Sequence, residues 1–220
     1  MNNALHGYNL HSEPSSSAEC GVALYTSKSL NAVKRTDLSV TNEEFEAVWL
    51  EIKKNIKSKN ILCCCAYRHP SSSNERFIEH IETVLHNLVR EKKNIFILGD
   101  FNINLLNCVN HPASETFLNM MNSNYLLPYI LQPTHVTNRS ATLIDNIFAN
   151  TFNFNALSGS LVTKISDHFP QFLIIEDLKV NYASLNYYKH DYSHFCEETF
   201  VDEVISHLDF SSINFTIKLL

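Results

Sequence analysis

The sequence predicts a layered α/β or α+β sandwich in which strands outnumber helices. Short apolar runs bounded by turn-forming residues recur along the chain, and such runs are typical of strands. Two stretches between them, residues 75–90 and 114–123, carry the three- to four-residue apolar spacing of an amphipathic helix. A chain of 220 residues is also long enough for one domain with a sizeable core.

The strands are predicted in chain order from their apolar patterns. Val48, Leu50 and Ile52 alternate with Trp49, Glu51 and Lys53, which indicates a half-buried strand. Ser72 and Glu75 have the spacing of a capping box, so a helix is expected from Glu75. The predicted strands cover residues 21–26, 48–53, 61–67, 95–98, 142–149, 159–165 and 170–175.

Three consecutive cysteines, Cys63, Cys64 and Cys65, lie inside the predicted strand 61–67. Adjacent side chains alternate across a strand, so three such thiols do not converge on one ion. The sequence therefore favours thiols that line a strand over a metal site or disulfides.

Composition and charge divide the chain into three segments. Residues 1–19 are polar and predict a loop or frayed end, and residues 179–220 predict a polar linker with a short amphipathic helix. The domain between them, residues 20–178, holds 14 Lys and Arg against 15 Asp and Glu, although the whole chain carries −6. A nearly neutral domain suits an enzyme that grips a few phosphates and disfavours a nonspecific coat on DNA.

No apolar run reaches the ~20 residues that span a bilayer, and the N-terminus lacks the pattern of a secretory signal. We therefore expect an intracellular protein that is not secreted and has no membrane partner.

The most informative stretch is residues 94–102, a buried strand followed by polar residues. Gly99 is expected to let the backbone turn, after which Asp100 and Asn102 leave the sheet two residues apart. With Phe101 facing the other way, both polar side chains point into one cleft. A carboxylate that handles a proton beside an amide that holds a phosphate oxygen suits phosphate chemistry.

Further polar residues lie at other strand positions. A carboxylate that orients His168 would raise the basicity of its imidazole, and Asp145 and Asp167 are the neighbouring candidates. The remaining carboxylates would hold a hydrated Mg²⁺. Tyr67, at the end of strand 61–67, would donate its phenol to a phosphate oxygen.

Each of these residues also has a plain structural interpretation. An Asp at a strand end is often a turn former, Tyr67 would pack at a rim, and His168 would cap a loop. None of the other histidines shows a trusted metal-ligand spacing; His190 and His194 lie four apart without a third ligand.

Four motifs in order change this balance: Tyr67-Arg68-His69-Pro70, Gly99-Asp100-Phe101-Asn102, Leu143-Ile144-Asp145-Asn146 and Ser166-Asp167-His168-Phe169-Pro170. Together they resemble the endonuclease/exonuclease/phosphatase superfamily of Mg²⁺-dependent phosphodiesterases. The chain is most similar to the apurinic-type endonuclease domain of jockey-like non-LTR retrotransposons, over about residues 20–178. Gln132-Pro133-Thr134-His135 resembles the Pro-Thr loop of those domains.

The resemblance implies a two-sheet β-sandwich flanked by helices and a role for each matching residue. Asp100 would position or deprotonate the attacking water, or protonate the leaving oxygen. Asn102 would hold the scissile phosphate, and Tyr67 would contact it. His168, oriented by Asp145, would stabilise the transition state, and Asp167 would assist metal binding or position the nucleophile.

The same resemblance implies Mg²⁺ as cofactor, with Mn²⁺ as a substitute, and DNA as substrate. It also implies a reverse transcriptase domain in cis in full-length relatives, and nuclear action of an active element.

The match begins after two strands with which family members normally start, one of which carries the Glu that is the principal Mg²⁺ ligand. Glu13 and Glu19 lie in a Ser-rich stretch and are poor replacements. We therefore expect the chain as it stands to have impaired, little or no nuclease activity. Two alternatives stay open: a noncatalytic remnant or co-opted binding module, and a phosphoinositide or sphingomyelin phosphodiesterase of the same superfamily.

Overall fold

The computed structural model describes residues 5–12, 21–54, 59–108, 110–150 and 156–175, which form thirteen strands and two α-helices. The helices are α1 Asn74–Leu88 and α2 Pro112–Ser123, and short 3₁₀ turns cover Val89–Glu91 and Leu105–Asn107. The strands are β1 Tyr8–Ser12, β2 Ala23–Ser27, β3 Ala32–Lys34, β4 Val40–Thr41, β5 Phe45–Ile52, β6 Ile61–Arg68, β7 Asn94–Asp100, β8 Leu127–Pro128, β9 His135–Val136, β10 Ala141–Thr142, β11 Asp145–Ala149, β12 Ala156–Ser160 and β13 Gln171–Ile175.

A seven-stranded mixed sheet forms the centre of the described residues. Its strand order is β3-β5-β6-β7-β11-β8, and β4 also pairs with β5. β6 and β7 are parallel and are connected through α1, whereas the other neighbours in this sheet are antiparallel. Three two-stranded sheets, β1-β2, β9-β10 and β12-β13, accompany it.

The central sheet has apolar side chains on both faces. On one face, Trp49 and Ile97 belong to a large core together with Phe77 of α1 and Phe117 of α2. On the other face, Val48, Leu50 and Cys65 form a smaller cluster with Val22, which directly precedes β2. The result is the layered sandwich that the sequence predicts.

Burial on both faces overturns one detail of the strand prediction. β5 was expected to be half-buried, but every residue from Phe45 to Leu50 is buried. The strand is central in a sheet that is covered on both sides, and such strands do not need a polar face. Cys64 and Cys65 are buried and Cys63 partly so, and all three are free thiols that line β6, as predicted.

Helix α1 begins one residue away from the predicted cap. Ser73, not Ser72, is the N-cap, and its hydroxyl accepts a hydrogen bond from the Arg76 amide at 3.2 Å. The buried face of the helix is the predicted apolar one, since Phe77, Ile81 and Leu85 are at most 2% exposed.

The N-terminal segment differs from its prediction as a loop. Tyr8–Ser12 forms β1, which pairs antiparallel with β2. Its residues are mostly exposed, so no apolar alternation signals the strand, and backbone pairing with β2 defines it. The predicted strand 142–149 is divided into β10 and β11. Between them, the amides of Leu143 and Ile144 donate to the Asn104 side chain and the Thr134 hydroxyl instead of to a neighbouring strand.

The expected helix within residues 179–220 lies outside the described residues, as do Glu13 and Glu19. Among the helices that the structure describes, none is long and apolar enough to cross a membrane.

Candidate active site

Side chains from four adjacent strands line up at one end of the central sheet. Glu46 of β5 pairs with Tyr67 of β6, Tyr67 with Asp100 of β7, and Asp100 with Asp145 of β11. Residues paired across strands point to the same face, which here is the face of the smaller cluster. Strand register therefore brings together Tyr67, Asp100 and Asp145, as well as Glu46, which the sequence reasoning missed.

Gly99 places Asp100 by allowing two strands to approach closely. A Cβ atom at this position would lie 1.8 Å from the Ala66 carbonyl oxygen, and the residue has φ +145°. The expected turn at Gly99 is wrong, because the residue belongs to β7. Its function is to let β6 and β7 pair directly beside the candidate site.

The loop after β7 folds back so that Asn102 stays beside Asp100. Asn102 adopts φ +50°, and its amide N–H donates to Asp100 Oδ1 at 3.0 Å. Its side-chain Nδ2 donates to the Arg68 carbonyl at 2.7 Å. The Asn102 amide group thus holds the loop against the end of β6.

Arg68 also holds the loop after β7 in place, a role that was not predicted from the sequence. Its side chain is buried and donates to the carbonyls of Phe101 and Asn102, both at 2.8 Å. It also donates to the carbonyls of His69 and Ser72. Burial lowers the pKa of this guanidinium, an effect that the Asp100 carboxylate opposes.

His168 lies next to the buried carboxylate of Asp145. Its Nδ1 atom is 3.1 and 3.2 Å from the two Asp145 oxygens, the arrangement that the resemblance implies. This hydrogen bond raises the pKa of His168 and favours the imidazolium. The hydroxyl of Thr134 accepts from the Asp145 amide at 3.1 Å, so Thr134 holds this strand end in place.

Asp100 is the most perturbed carboxyl group of this site. Burial first, and the nearby Asp145 carboxylate second, raise its pKa to about 6. The hydrogen bond from the Asn102 amide and the charges of His168 and Arg68 act in the opposite direction. Such a pKa places the protonation change of Asp100 close to neutral pH.

Asp167 lies apart from the paired carboxylates. Its side chain is 59% exposed and accepts from His135 Nε2 at 3.1 Å and from the Ser166 hydroxyl at 3.2 Å. The bond to His135 lowers the pKa of Asp167. His135 was missed because Asp167 lies 32 residues away in the sequence, and only the place of His135 in the Pro-Thr loop pointed to it.

The described residues include a group of side chains that could hold a divalent cation. One donor atom each of Asp100, Asp145 and His168 lies within 4.8 Å of the others. Two carboxylates suit Mg²⁺, which prefers oxygen ligands and keeps several waters. A cation between them would also offset the carboxylate repulsion that raises the pKa of Asp100.

The layered sandwich has the fold of solved proteins of the endonuclease/exonuclease/phosphatase superfamily. The endonuclease domain of TRAS1, a telomere-specific non-LTR retrotransposon, is similar with a TM-score of 0.63 at 17% identity, over 80% of this chain and 83% of that one. The catalytic domain of Xenopus laevis APE2 gives 0.55 at 18% identity, over 78% and 76%. An endonuclease/exonuclease/phosphatase family protein from Leptotrichia buccalis C-1013-b gives 0.54 at 22%, over 77% and 72%.

The sequence itself gives the family. Residues 61–172 match the family described as Endonuclease-reverse transcriptase, and the chain belongs to it. No curated protein sequence matches the chain. The family match and the structural likeness confirm the resemblance carried by the four sequence motifs, and the structural likeness confirms the fold class.

Proposed function

We propose that this domain hydrolyses a phosphodiester bond of DNA with the help of Mg²⁺ and leaves a nick. The observation that carries the proposal is the group formed by Asp100, Asp145 and His168 at the ends of paired strands, in a chain of the Endonuclease-reverse transcriptase family. A buried carboxylate with a raised pKa beside an imidazolium is the kind of arrangement that functional sites use.

Asp100 is the residue that handles the proton of the reaction. Before a cation binds, its pKa of about 6 leaves Asp100 mostly ionised at neutral pH and makes it a stronger base than an ordinary carboxylate. It takes a proton from the attacking water or, in its protonated form, gives one to the leaving oxygen. The hydrogen bond from the Asn102 backbone N–H to Asp100 Oδ1 keeps this carboxyl group oriented.

His168 stabilises negative charge on the phosphate. Asp145 holds the ring through Nδ1 and raises the pKa of His168, which stabilises the imidazolium relative to the neutral ring. Its Nε2 atom is then left to donate to a phosphate oxygen, where charge develops in the transition state. Tyr67 and Asn102, which flank Asp100, would contact the same phosphate.

Asp100 and Asp145 are the described carboxylates that would hold Mg²⁺, with Asp167 assisting as the family resemblance implies. When bound, the ion would supply positive charge at the phosphate and lower the pKa of a coordinated water. Mn²⁺, which shares the preference for carboxylate and water ligands, would serve as a substitute.

Membership of this family favours DNA over a lipid headgroup as the substrate. The matching family is described as Endonuclease-reverse transcriptase, so a reverse transcriptase in cis and nuclear action are part of the proposal for a full-length relative. The nearly balanced charge of residues 20–178 suits contact with a few phosphates.

Nicking of supercoiled plasmid by the 220-residue chain tests the proposal, with Mg²⁺, Mn²⁺ or EDTA. We expect metal-dependent nicking that falls at least about 100-fold in Asp100→Asn and in His168→Ala. Glu79→Gln and His86→Asn, which change exposed residues of α1, are the matched controls and should keep the wild-type rate.

The assay is run at high protein concentration so that slow nicking is also detected. The proposal is wrong if the folded chain does not nick DNA with either metal, or if nicking survives EDTA or both active-site substitutions. Release of phosphorylated headgroups from phosphoinositide or sphingomyelin vesicles, without nicking, would move the activity to the lipid phosphodiesterases.

A further inference from the structure

A second group of potential metal ligands lies beside the candidate active site. One donor atom each of His135, Asp167 and His168 lies within 4.8 Å of the others. The closest pair, His135 Nε2 and Asp167 Oδ2, is 3.1 Å apart. Donor atoms around a tetrahedral zinc ion at ordinary bond lengths are separated by about 3.3 Å, so this pair already has the required spacing.

The backbone holds these residues in place. His135 and His168 face each other in an antiparallel bridge, flanked by hydrogen bonds from Val136 to the Asp167 carbonyl at 2.9 Å and from Phe169 to the Thr134 carbonyl. This pattern makes the two histidines a non-hydrogen-bonded pair, the type in which side chains come closest. Their ring centroids are accordingly 4.6 Å apart.

The outer partners of both imidazoles resemble those of metal-bound histidines. His168 uses Nδ1 for the Asp145 carboxylate, and His135 Nδ1 lies 3.4 Å from the Thr142 hydroxyl. A histidine that binds a metal through one nitrogen usually has the other nitrogen engaged in this way, which fixes the ring. In both rings, Nε2 is the nitrogen that would bind the metal; in His135 this atom now bonds to Asp167 Oδ2, the third group of the site.

We propose that His135, Asp167 and His168 form a site for zinc, a transition-metal cation that two imidazoles and one carboxylate suit. Three protein ligands leave a fourth position to water, and the ligand set differs from the oxygen-rich surroundings that Mg²⁺ prefers. The side chains are 22%, 59% and 30% exposed, so the site opens to solvent and needs no opening of the core.

Zinc in this site would compete with the reaction, because His168 belongs to both groups. An imidazole that coordinates zinc through Nε2 has no proton there for a phosphate oxygen. Zinc is therefore an inhibitor of nicking in the presence of Mg²⁺, a consequence that rests on the proposed function, whereas zinc binding itself does not.

The binding test uses ZnCl₂ and the whole chain without DNA, so the failure of nicking would not affect it. Isothermal titration gives the affinity, and NMR of the histidine rings shows which imidazoles respond. We expect the His135 and His168 signals to change together at the first equivalent, and those of His86 to stay unchanged. His135→Asn and Asp167→Asn should each weaken this binding at least about tenfold, whereas His86→Asn should not.

The urea unfolding curves of His135→Asn and Asp167→Asn are compared with that of wild type, so that a loss of binding caused by a fold defect is recognised. The proposal is overturned if zinc leaves the His168 signals unchanged, or if both folded variants bind zinc at that position as tightly as wild type. The inhibition is tested separately. The zinc concentration that stops Mg²⁺-dependent nicking should be at least about tenfold lower for wild type than for His135→Asn. Equal sensitivity would refute the competition for His168.

Discussion

Replacing Asp100 by asparagine is expected to stabilise the folded chain near neutral pH while it abolishes the proposed reaction. The pKa of Asp100 rises from 3.8 to about 6 on folding, so the folded state holds this proton more tightly than the unfolded state. The stability that depends on the proton is complete below about pH 4 and is lost as the pH rises through about 6. Above that, the wild type keeps a buried carboxylate at a cost that asparagine does not have.

The size of the effect follows from the pKa. A shift of about two units corresponds to about 3 kcal/mol, which solvent screening of this partly exposed group reduces to about 1–3 kcal/mol. The geometry favours the substitution, because an asparagine Oδ1 can still accept the Asn102 amide hydrogen bond. For a chain of this size, each 1 kcal/mol is about 2–4 °C in melting temperature.

Urea unfolding of wild type and Asp100→Asn at pH 5 and pH 8 measures the difference. We expect Asp100→Asn to be more stable at pH 8 by the amount given above, and the gain to fall to about half at pH 5. Glu79→Gln, a change at an exposed helix position, should leave stability unchanged at both values. The reasoning is refuted if Asp100→Asn is less stable at pH 8, or if the gain is the same at both pH values.

Three other substitutions test the supports of the site. Gly99→Ala would place Cβ 1.8 Å from the Ala66 carbonyl oxygen, so we expect a loss of about 4 kcal/mol or more in urea unfolding; a loss below about 1 kcal/mol would contradict this. Arg68→Lys leaves several buried carbonyls without a donor and should lower the free energy of unfolding by about 2–4 kcal/mol. Unchanged stability would contradict the stabilising role of these Arg68 hydrogen bonds. Asp145→Asn should lower the pKa of His168 in an NMR titration, and an unchanged pKa would exclude Asp145 as its cause.

The parts of the fold that the sequence predicts are those that local patterns determine. β6 and β7 are apolar runs of strand length, and the buried face of α1 follows from its helical spacing. The half-buried prediction for β5 failed because burial depends on what covers the second face, and a distant segment around Val22 supplies that cover. β1 has too few buried side chains to give any apolar signal.

The sequence could predict those parts of the candidate site in which a carboxylate, amide or imidazole side chain lies near the end of a strand, because these groups suit phosphate chemistry. Asp100, Asn102, Asp145 and His168 lie together, and their proposed roles remain for experiment. Arg68, Thr134 and His135 were missed for a shared reason. Their partners are backbone groups or side chains on other segments, and neither backbone carbonyls nor strand register can be recognised from residue types alone.

The register of the central sheet is what joins this chemistry to the fold. Asp100 and Asp145 belong to different segments, and only the antiparallel pairing of β7 with β11 places one opposite the other. Because side chains alternate along a strand, a slip of one residue would turn one carboxylate to the opposite face. Gly99 and Arg68 would therefore support the proposed reaction without contacting a phosphate, since they fix the end of β7 and the loop that follows it. Changes at these two positions should reduce nicking and stability together, whereas Asp100→Asn should separate the two.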